Sequence, residues 1–369
     1  MVIEDIALTF VPQLGVRGVA HLLDVYGSAT EVFAASEDDL AERAELRADI
    51  ARSIARKAGF AEAEREMRYC TKNGIHAIAS TDADYPPMLR EAVDFPHVIY
   101  SIGDTEALLS RHIISIVGTR KMTPYGERMC NELVEGIAAK FPDAVIVSGL
   151  AFGTDAAAHR AALAFGLRTV GVLANALPDV VPTHNAALGR DMLAHGGAII
   201  SEVSSQTRQN GNLYIPRNRI VAALGEGLIV VESPVNGGSM STVKAADGYS
   251  RMVMAVAGRA TDTMSKGTNA LIRNRVAQMV NSADEVIEEL GWQCETAPQT
   301  EHFRAEVREM SDSEQRILAC LGDGGEAVPF DEIVVRSGLE VGELSARLLD
   351  MELSGDVRCL PGKMYEKLR

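Results

Sequence analysis

Residues 113–159 limit the possible folds more than any other stretch. IISIVGTRKMTPYGE and, after a helical interval, VIVSGLAFGTDAAAH each carry an apolar run of strand length. Each run ends in a glycine turn and opens into a helix. Buried β-branched strands that feed helices through short turns make parallel sheets covered on both faces. In such sheets ligands sit at the strand C-termini, where free helix N–H groups and the helix dipole attract anions. The first turn carries Gly118, Thr119 and Arg120. The second carries Ser148, Gly149 and Gly153, and Asp155 is expected to cap the helix that follows.

The alternation continues beyond this stretch. Strands are expected at 113–117, 144–148, 169–174, 198–201, 227–231, 252–256 and 276–280, with helical intervals such as GERMCNELVEGIAAKF and NAALGRDMLAHG between them. Ahead of them, residues 76–110 read as an extension of the sheet domain. Tyr85-Pro86-Pro87 and Phe95-Pro96 force extended or turn conformations there, and VIYSIG reads as a strand. Residues 1–75 look helical. Gly15 and Gly18 form a glycine-spaced turn before an apolar stripe, as in small SAM-like or helix-hairpin-helix modules and in many plain helical bundles. Residues 291–310 read as a linker. In 311–369, Ser311 and Glu314 stand at capping-box spacing, two further helices follow, and DVRCLPGKMYEKL reads as a hairpin, which together suggest a winged helix.

The formal net charge of −15, taken alone, argues against nucleic acid, but the charge is unevenly spread. Residues 1–110 carry 10 basic and 19 acidic side chains, and residues 291–369 carry 9 and 16. Residues 111–290 carry 17 and 16, and within 208–275 nine basic residues face four acidic ones. A locally basic segment flanked by acidic ones can still hold an anion, because the local field decides. The five cysteines are far apart with no CxxC pair, as expected of reduced, mostly buried thiols. No signal peptide is evident and no apolar run is long enough to span a bilayer, so a cytoplasmic location and no membrane are expected.

The familiar catalytic and cofactor motifs are missing. There is no GxGxxG with a ribose-binding carboxylate, no GxxxxGK[ST], no HExxH and no GxSxG. Neither a cofactor nor a metal is expected, and no catalytic residue stands out. What remains suits a phosphodiester. Arg217, Asn218 and Arg219 open a helix after Pro216, and NGGSMST supplies Gly237, Gly238 and Ser239. KGTNALIRNR adds Lys266 and Asn269. Right-handed connections bring such turns to one sheet edge, where arginine forks and backbone amides hold phosphates without reading sequence. Phe152 and Tyr214 lie in loops where a base could stack. His159 reads as structural, and Glu202 and Glu232 as partners for caps or cations.

Taken in order, YPPML (85–89), VGTRKMTPYG (117–126), VSGLAFGTDAAAH (147–159), PRNRI (216–220), GGSMST (237–242) and GTNALI (267–272) resemble the DNA-processing protein A (DprA/Smf) family over essentially the whole chain. The resemblance implies an extended Rossmann-like domain that binds single-stranded DNA and dimerises. It also implies loading of a RecA-type recombinase onto incoming DNA during natural transformation. The chain departs from the family pattern at Thr154, where isoleucine is usual, and in LANALPDVVPTHN, which lacks an expected glycine. Two other readings stay open. One is a nucleotide-processing phosphoribohydrolase, although NGGSMSTVK places Lys244 where that family's PGGxGTxxE has a carboxylate. The other is a nucleotide sensor that signals through the winged helix. In that winged helix the presumed recognition helix has Glu343, Asp350 and Glu352 against Arg347. It is expected to contact protein, with DNA reached only through Arg358, Lys363 and Lys367 of the wing.

Overall fold

The computed structural model describes residues 1–208, 210–293, 311–321, 327–353, 356–360 and 362–367. The chain forms two units, Met1–Cys294 and Glu295–Arg369. Residues 294–310 lie outside the described residues, and with them most of the expected linker. Trp292 belongs to the first unit, where it packs on Phe141 and His112 and donates from Nε1 to Glu226.

The first unit is built on a nine-stranded sheet. Its strands are β1 (His76–Ala79), β2 (Val98–Gly103), β3 (Ile113–Val117), β4 (Val145–Ser148), β5 (Arg168–Val172), β6 (Ala198–Ser201), β7 (Gly227–Val230), β8 (Met252–Ala255) and β9 (Gln278–Met279). The spatial order is β1-β2-β6-β5-β4-β3-β7-β8-β9. From β6 to β9 all neighbours are parallel, with Ile113 beside Val145 and Ile114 beside Gly227. β1 and β2 add an antiparallel edge next to β6. The extension is therefore part of the sheet. The strand at 76–79 went unread in the sequence, since four residues paired across a long loop leave little periodicity.

Successive side chains of a strand point to opposite faces. Ile114 and Ile116 of β3 pack under the helices Pro124–Lys140 and Thr154–Ala164. Ile113 and Val117 pack under Tyr214–Leu224 and Ser239–Gly248. Ser115, buried on that second face, donates from Oγ to the Val221 carbonyl (2.6 Å), which satisfies its hydroxyl. The chain leaves β3 toward β4, β5 and β6, then returns to the other side of β3 as β7. That reversal opens a crevice at the C-terminal ends of β3, β4 and β7.

Six short helices precede the sheet, and their core is continuous with it. Ile6, Leu22 and Ile54 share one apolar cluster with Tyr100, Leu150 and Leu188. Gly15 caps the helix Val16–Tyr26, and Gly18 lies inside that helix, not in a turn. A Cβ on Gly18 would stand 2.6 Å from Leu14 Cδ1, the movable end of a side chain, so packing alone does not demand glycine there. A buried polar seam joins this segment to the sheet. Asp5 Oδ1 meets His97 Nε2 at 3.1 Å, and His97 Nδ1 meets Ser80 Oγ at 2.8 Å. Cys70, Cys130 and Cys320 are buried free thiols, Cys359 is exposed, and Cys294 lies outside the described residues. Burial pushes the Cys70 and Cys130 thiols up to about 12. No helix among the described residues is long and apolar enough to cross a membrane.

The second unit has helices Asp312–Leu321, Phe330–Ser337 and Val341–Leu353, and strands β10 (Val328–Pro329), β11 (Val357–Leu360) and β12 (Met364–Lys367) in the order β10-β12-β11. Ser311 and Glu314 close the capping box reciprocally. Ile317, Ile333, Leu344, Leu348 and Val357 fill the core of this winged helix. On its surface Arg347 lies 3.9 Å from Asp350, and Arg358 pairs with Glu366 at 3.2 Å.

Asp5 gives the fold a pH dependence. Burial pushes its carboxyl up, but hydrogen bonds from His97 and the Val2 amide outweigh this and hold it below its ordinary value. A lowered folded-state pKa contributes stability above the unfolded value of about 4 and loses it as pH falls through the folded one. Asp5→Asn is expected to cost about 2 kcal/mol at pH 7. The deficit shrinks as the pH is taken below about 4, and urea unfolding followed by Trp292 fluorescence checks both.

Candidate functional site

The crevice at the strand-order reversal is an open cleft of about 720 Å³. Gly118, Thr119 and Arg120 line it from the turn after β3, and Gly149 and Ala151 from the turn after β4. Tyr214, Arg217 and Asn218 come from one helix start, and Gly237, Gly238 and Ser239 from the turn after β7.

Each wall is held by its own chain. The Thr119 amide donates to the Glu232 carbonyl (2.7 Å), and Thr123 donates to the Glu232 carboxylate through its amide and hydroxyl. Glu232 is thereby spent on capping the helix Pro124–Lys140. Asn218 Nδ2 donates to Ser241 Oγ (2.8 Å), and Ser241 Oγ donates to the Gly238 carbonyl (2.8 Å). The Met240 and Ser241 amides donate back to the Gly237 and Gly238 carbonyls (3.1 and 3.4 Å), so Ser239–Gly248, a helix of ten residues, starts at a braced turn on the cleft wall.

Arg217 is only 5% exposed, and its Nη1 donates to the Val172 carbonyl (2.9 Å). A Cβ on Gly149 would overlap Arg217 Nη1 and Asp155 Oδ2, so only glycine lets these charges approach each other beneath the loop. Burial raises the Asp155 carboxyl above its usual range against the pull of Arg217. Asp155 does not cap its helix from outside. It sits in the first turn, behind Gly153 at the N-cap, and folds back so that Oδ2 accepts from the Ala151 amide at 3.4 Å. Arg217 Nε is buried without a hydrogen-bond partner.

Arg120 is exposed, and its guanidinium carbon lies 5.1 Å from the Tyr214 ring centroid. The Arg217 carbon lies 6.0 Å from the same centroid. The ring is therefore within cation–π reach of both arginines, and no ion-pair partner of Arg120 occurs among the described residues.

The DNA recombination-mediator protein A family model matches residues 76–291, and the DprA winged-helix model matches residues 301–363. The chain belongs to the DNA recombination-mediator protein A (DprA) family. It is 32% identical over 309 residues to Protein Smf of Escherichia coli, covering 83% of this chain and 81% of that one. The structure of DNA processing protein A from Streptococcus pneumoniae aligns with a TM-score of 0.67 at 26% identity, over 78% of this chain and 98% of that one. A Helicobacter pylori DNA processing protein A, whose structure is described in terms of its single-stranded DNA binding mode, aligns with a TM-score of 0.52 at 28% identity, over 59% and 96%.

Within this family fold, nine of the thirteen residues expected at the anion site line one cleft: Gly118, Thr119, Arg120, Gly149, Arg217, Asn218, Gly237, Gly238 and Ser239. Four do not. Ser148 is fully buried and donates from Oγ to the Ile116 carbonyl (2.6 Å), because it points into the sheet. Arg219 pairs with Glu202 and donates to the Asp94 carbonyl, tying the helix to the 76–110 extension. Asn269 brackets the Gly258 backbone with both ends of its amide. Lys266 is exposed outside the cleft lining. Asp155 as the buried counter-ion of Arg217 was not evident in the sequence, although the Gly149–Asp155 spacing held the signal.

His159, expected to be a satisfied structural histidine, is fully buried and engaged at Nδ1, while its Nε2 has no hydrogen-bond partner among the described residues. Thr169 Oγ1 gives its one proton to the Ile146 carbonyl (2.7 Å), so His159 Nδ1 must carry the proton it shares with Thr169 (2.6 Å). Burial, with smaller repulsion from Arg217 and Arg160, pushes His159 down to about 3. Between its unfolded value of about 6.5 and that folded value, only the unfolded chain takes up the proton, so stability falls as pH falls. The loss due to this residue should reach about 2 kcal/mol at pH 5. In urea unfolding between pH 7 and pH 5, His159→Phe should flatten the decline by that amount.

Proposed function

We propose that this chain binds single-stranded DNA in the cleft at the C-terminal ends of β3, β4 and β7, and that it does so without catalysing a reaction. The observation that carries this reading is Arg120, exposed in the cleft lining, with the Tyr214 ring within reach of it and of the buried Arg217 that positions the loop. The same cleft is lined by the turn Gly237, Gly238 and Ser239, which opens a helix. Guanidinium forks and backbone amides recognise phosphodiesters, and an aromatic ring gives a sequence-tolerant stacking face. The single-stranded DNA binding named for the Helicobacter pylori relative supports the same reading.

One carboxylate, Asp155, is among the residues that line the cleft, and it is engaged by Arg217 and the Ala151 amide. Lys244, at the position where the phosphoribohydrolases have their acid, is exposed and outside the lining. Both facts favour binding over hydrolysis. In the cell we assign this member of the family to loading a RecA-type recombinase onto incoming single strands during natural transformation. We also assign it a cytoplasmic location and a homodimer formed through the sheet domain. Exposed Val276 and Met279 beside the edge strand β9 support such a dimer. The winged helix, whose Arg358 and Arg347 have carboxylates beside them, is assigned to protein contact.

Titrating a fluorescent oligothymidine across a salt series tests the reading. Wild type should bind with steep salt dependence. Arg120→Ala, an exposed site whose loss leaves no buried charge, should weaken binding by roughly ten- to hundredfold. It should also reduce the slope of log K against log salt by about 0.7. Equal binding by the variant would remove the cleft from the reading, and stabilisation by a mononucleotide without oligonucleotide binding would favour the sensor.

A further inference from the structure

The 149–153 loop walls two concavities. Gly149 and Ala151 face the central cleft, whereas Phe152 and Gly153 line a separate notch of about 180 Å³ that also includes Glu127, Arg160 and His184.

Phe152 is 46% exposed, yet the loop that carries it is braced on both sides. Leu150 has φ 52° and Gly153 φ 74°, and a Cβ on Gly153 would overlap the Thr119 carbonyl. The Thr154 amide and hydroxyl both donate to that carbonyl (3.1 and 3.2 Å), and Asn185 Nδ2 donates to the carbonyls of Leu150 and Ala151 (2.9 and 3.1 Å). A loop so constrained could turn a small polar residue outward at no cost, but it holds out a phenyl ring. The His184 ring stands 5.6 Å away at 42°, which extends the aromatic surface. Arg160 is exposed, with no ion-pair partner among the described residues, and Glu127 is the one carboxylate that lines the notch.

We propose that this notch is a second nucleic-acid subsite, at which a base of the strand leaving the central cleft stacks on Phe152 while Arg160 takes the neighbouring phosphate. The proposal rests on the reading of the central cleft as a single-strand site. A flat ring beside a free guanidinium matches an unstacked base with its phosphate, and every base offers a π-face. A duplex keeps its bases stacked inside and cannot use such a platform. The loop shared with the cleft makes the two sites neighbours, and Arg160 gives the notch a charge that suits the backbone.

The experiment uses the full chain with oligothymidines of about 6 and about 20 nucleotides, the shorter one sized to fill the cleft alone. Phe152→Ala should bind the long strand roughly five- to a hundredfold more weakly and leave the short one nearly unchanged. Phe152→Trp should keep its affinity, and its emission should be quenched by the long strand only. Wild type should stay silent, because its single tryptophan, Trp292, is buried between Phe141 and His112. Unchanged binding of the long strand by Phe152→Ala, or equal losses at both lengths, would overturn the subsite. So would unmoved Phe152→Trp emission while the strand is bound, or a loss confined to binding of a purified RecA-type recombinase. In those cases wild-type binding that falls with Arg120→Ala keeps the central cleft intact. If wild type binds neither strand, both readings fall.

Discussion

A parallel sheet covered by helices on both faces has no room for chemistry along its strands. Here β3, β4, β5 and β7 are buried along nearly their whole length, so polar function is confined to the loops at one rim. The strand order then selects a place on that rim. Because β4 and β7 flank β3 and their connections diverge to opposite faces, the turns after these strands part and leave a crevice. Every group of the proposed site is there because of that reversal. Gly118 follows β3, Gly149 follows β4 and Gly237 follows β7, and the helix bearing Arg217 is the crossover into β7.

Within the crevice, one charge is fixed and the other is free to respond. Arg217 is sunk between β5 and the 149–155 loop, held by the Val172 carbonyl and balanced by Asp155. A buried cation with a counter-ion adds little net field, but it fixes the position of its neighbours and leaves Nε to be satisfied. Arg120 lies in solvent against Tyr214 and supplies uncompensated charge. Removing Arg217 would leave Asp155 buried and unpaired, which typically costs several kcal/mol. Its loss would therefore mix folding with binding, whereas the loss of Arg120 would not.

The strands were legible because β-branched runs bounded by glycine turns admit few alternatives, and the expected segments fall within a few residues of β3 through β9. β1 was hidden because its four residues gain strand character only by pairing with β2. The positions of the glycine turns were equally legible, as was their convergence on one edge. The direction of individual side chains was not. In PRNRI, Arg217 and Arg219 stand two apart on a helix, so they point to different sides, one toward the cleft and the other toward Glu202. Nothing in the local sequence says which. Asn269 and Ser148 likewise look like phosphate ligands by residue type. Their partners, the Gly258 backbone and the Ile116 carbonyl, come from segments far along the chain. Gly18 resembled a turn glycine but lies inside the helix Val16–Tyr26, where only the end of the Leu14 side chain crowds it.

The charge distribution shapes how such a site can operate. Residues 1–290 carry 27 basic and 35 acidic side chains, so a polyanion far from this unit meets a net negative body. At physiological salt the screening length is about 8 Å, so this repulsion is felt mainly on approach. Within that distance a strand at the proposed site would meet Arg120, the turn at Ser239 and the exposed cations Lys121 and Arg160. Salt therefore acts in two directions. It screens the approach and it weakens the phosphate contacts by reducing the gain from counter-ion release. The second effect works at contact distance and dominates the equilibrium, while the first works on the encounter rate. On the proposed reading, this arrangement disfavours diffuse attachment to nucleic acid and favours strands that seat in the cleft.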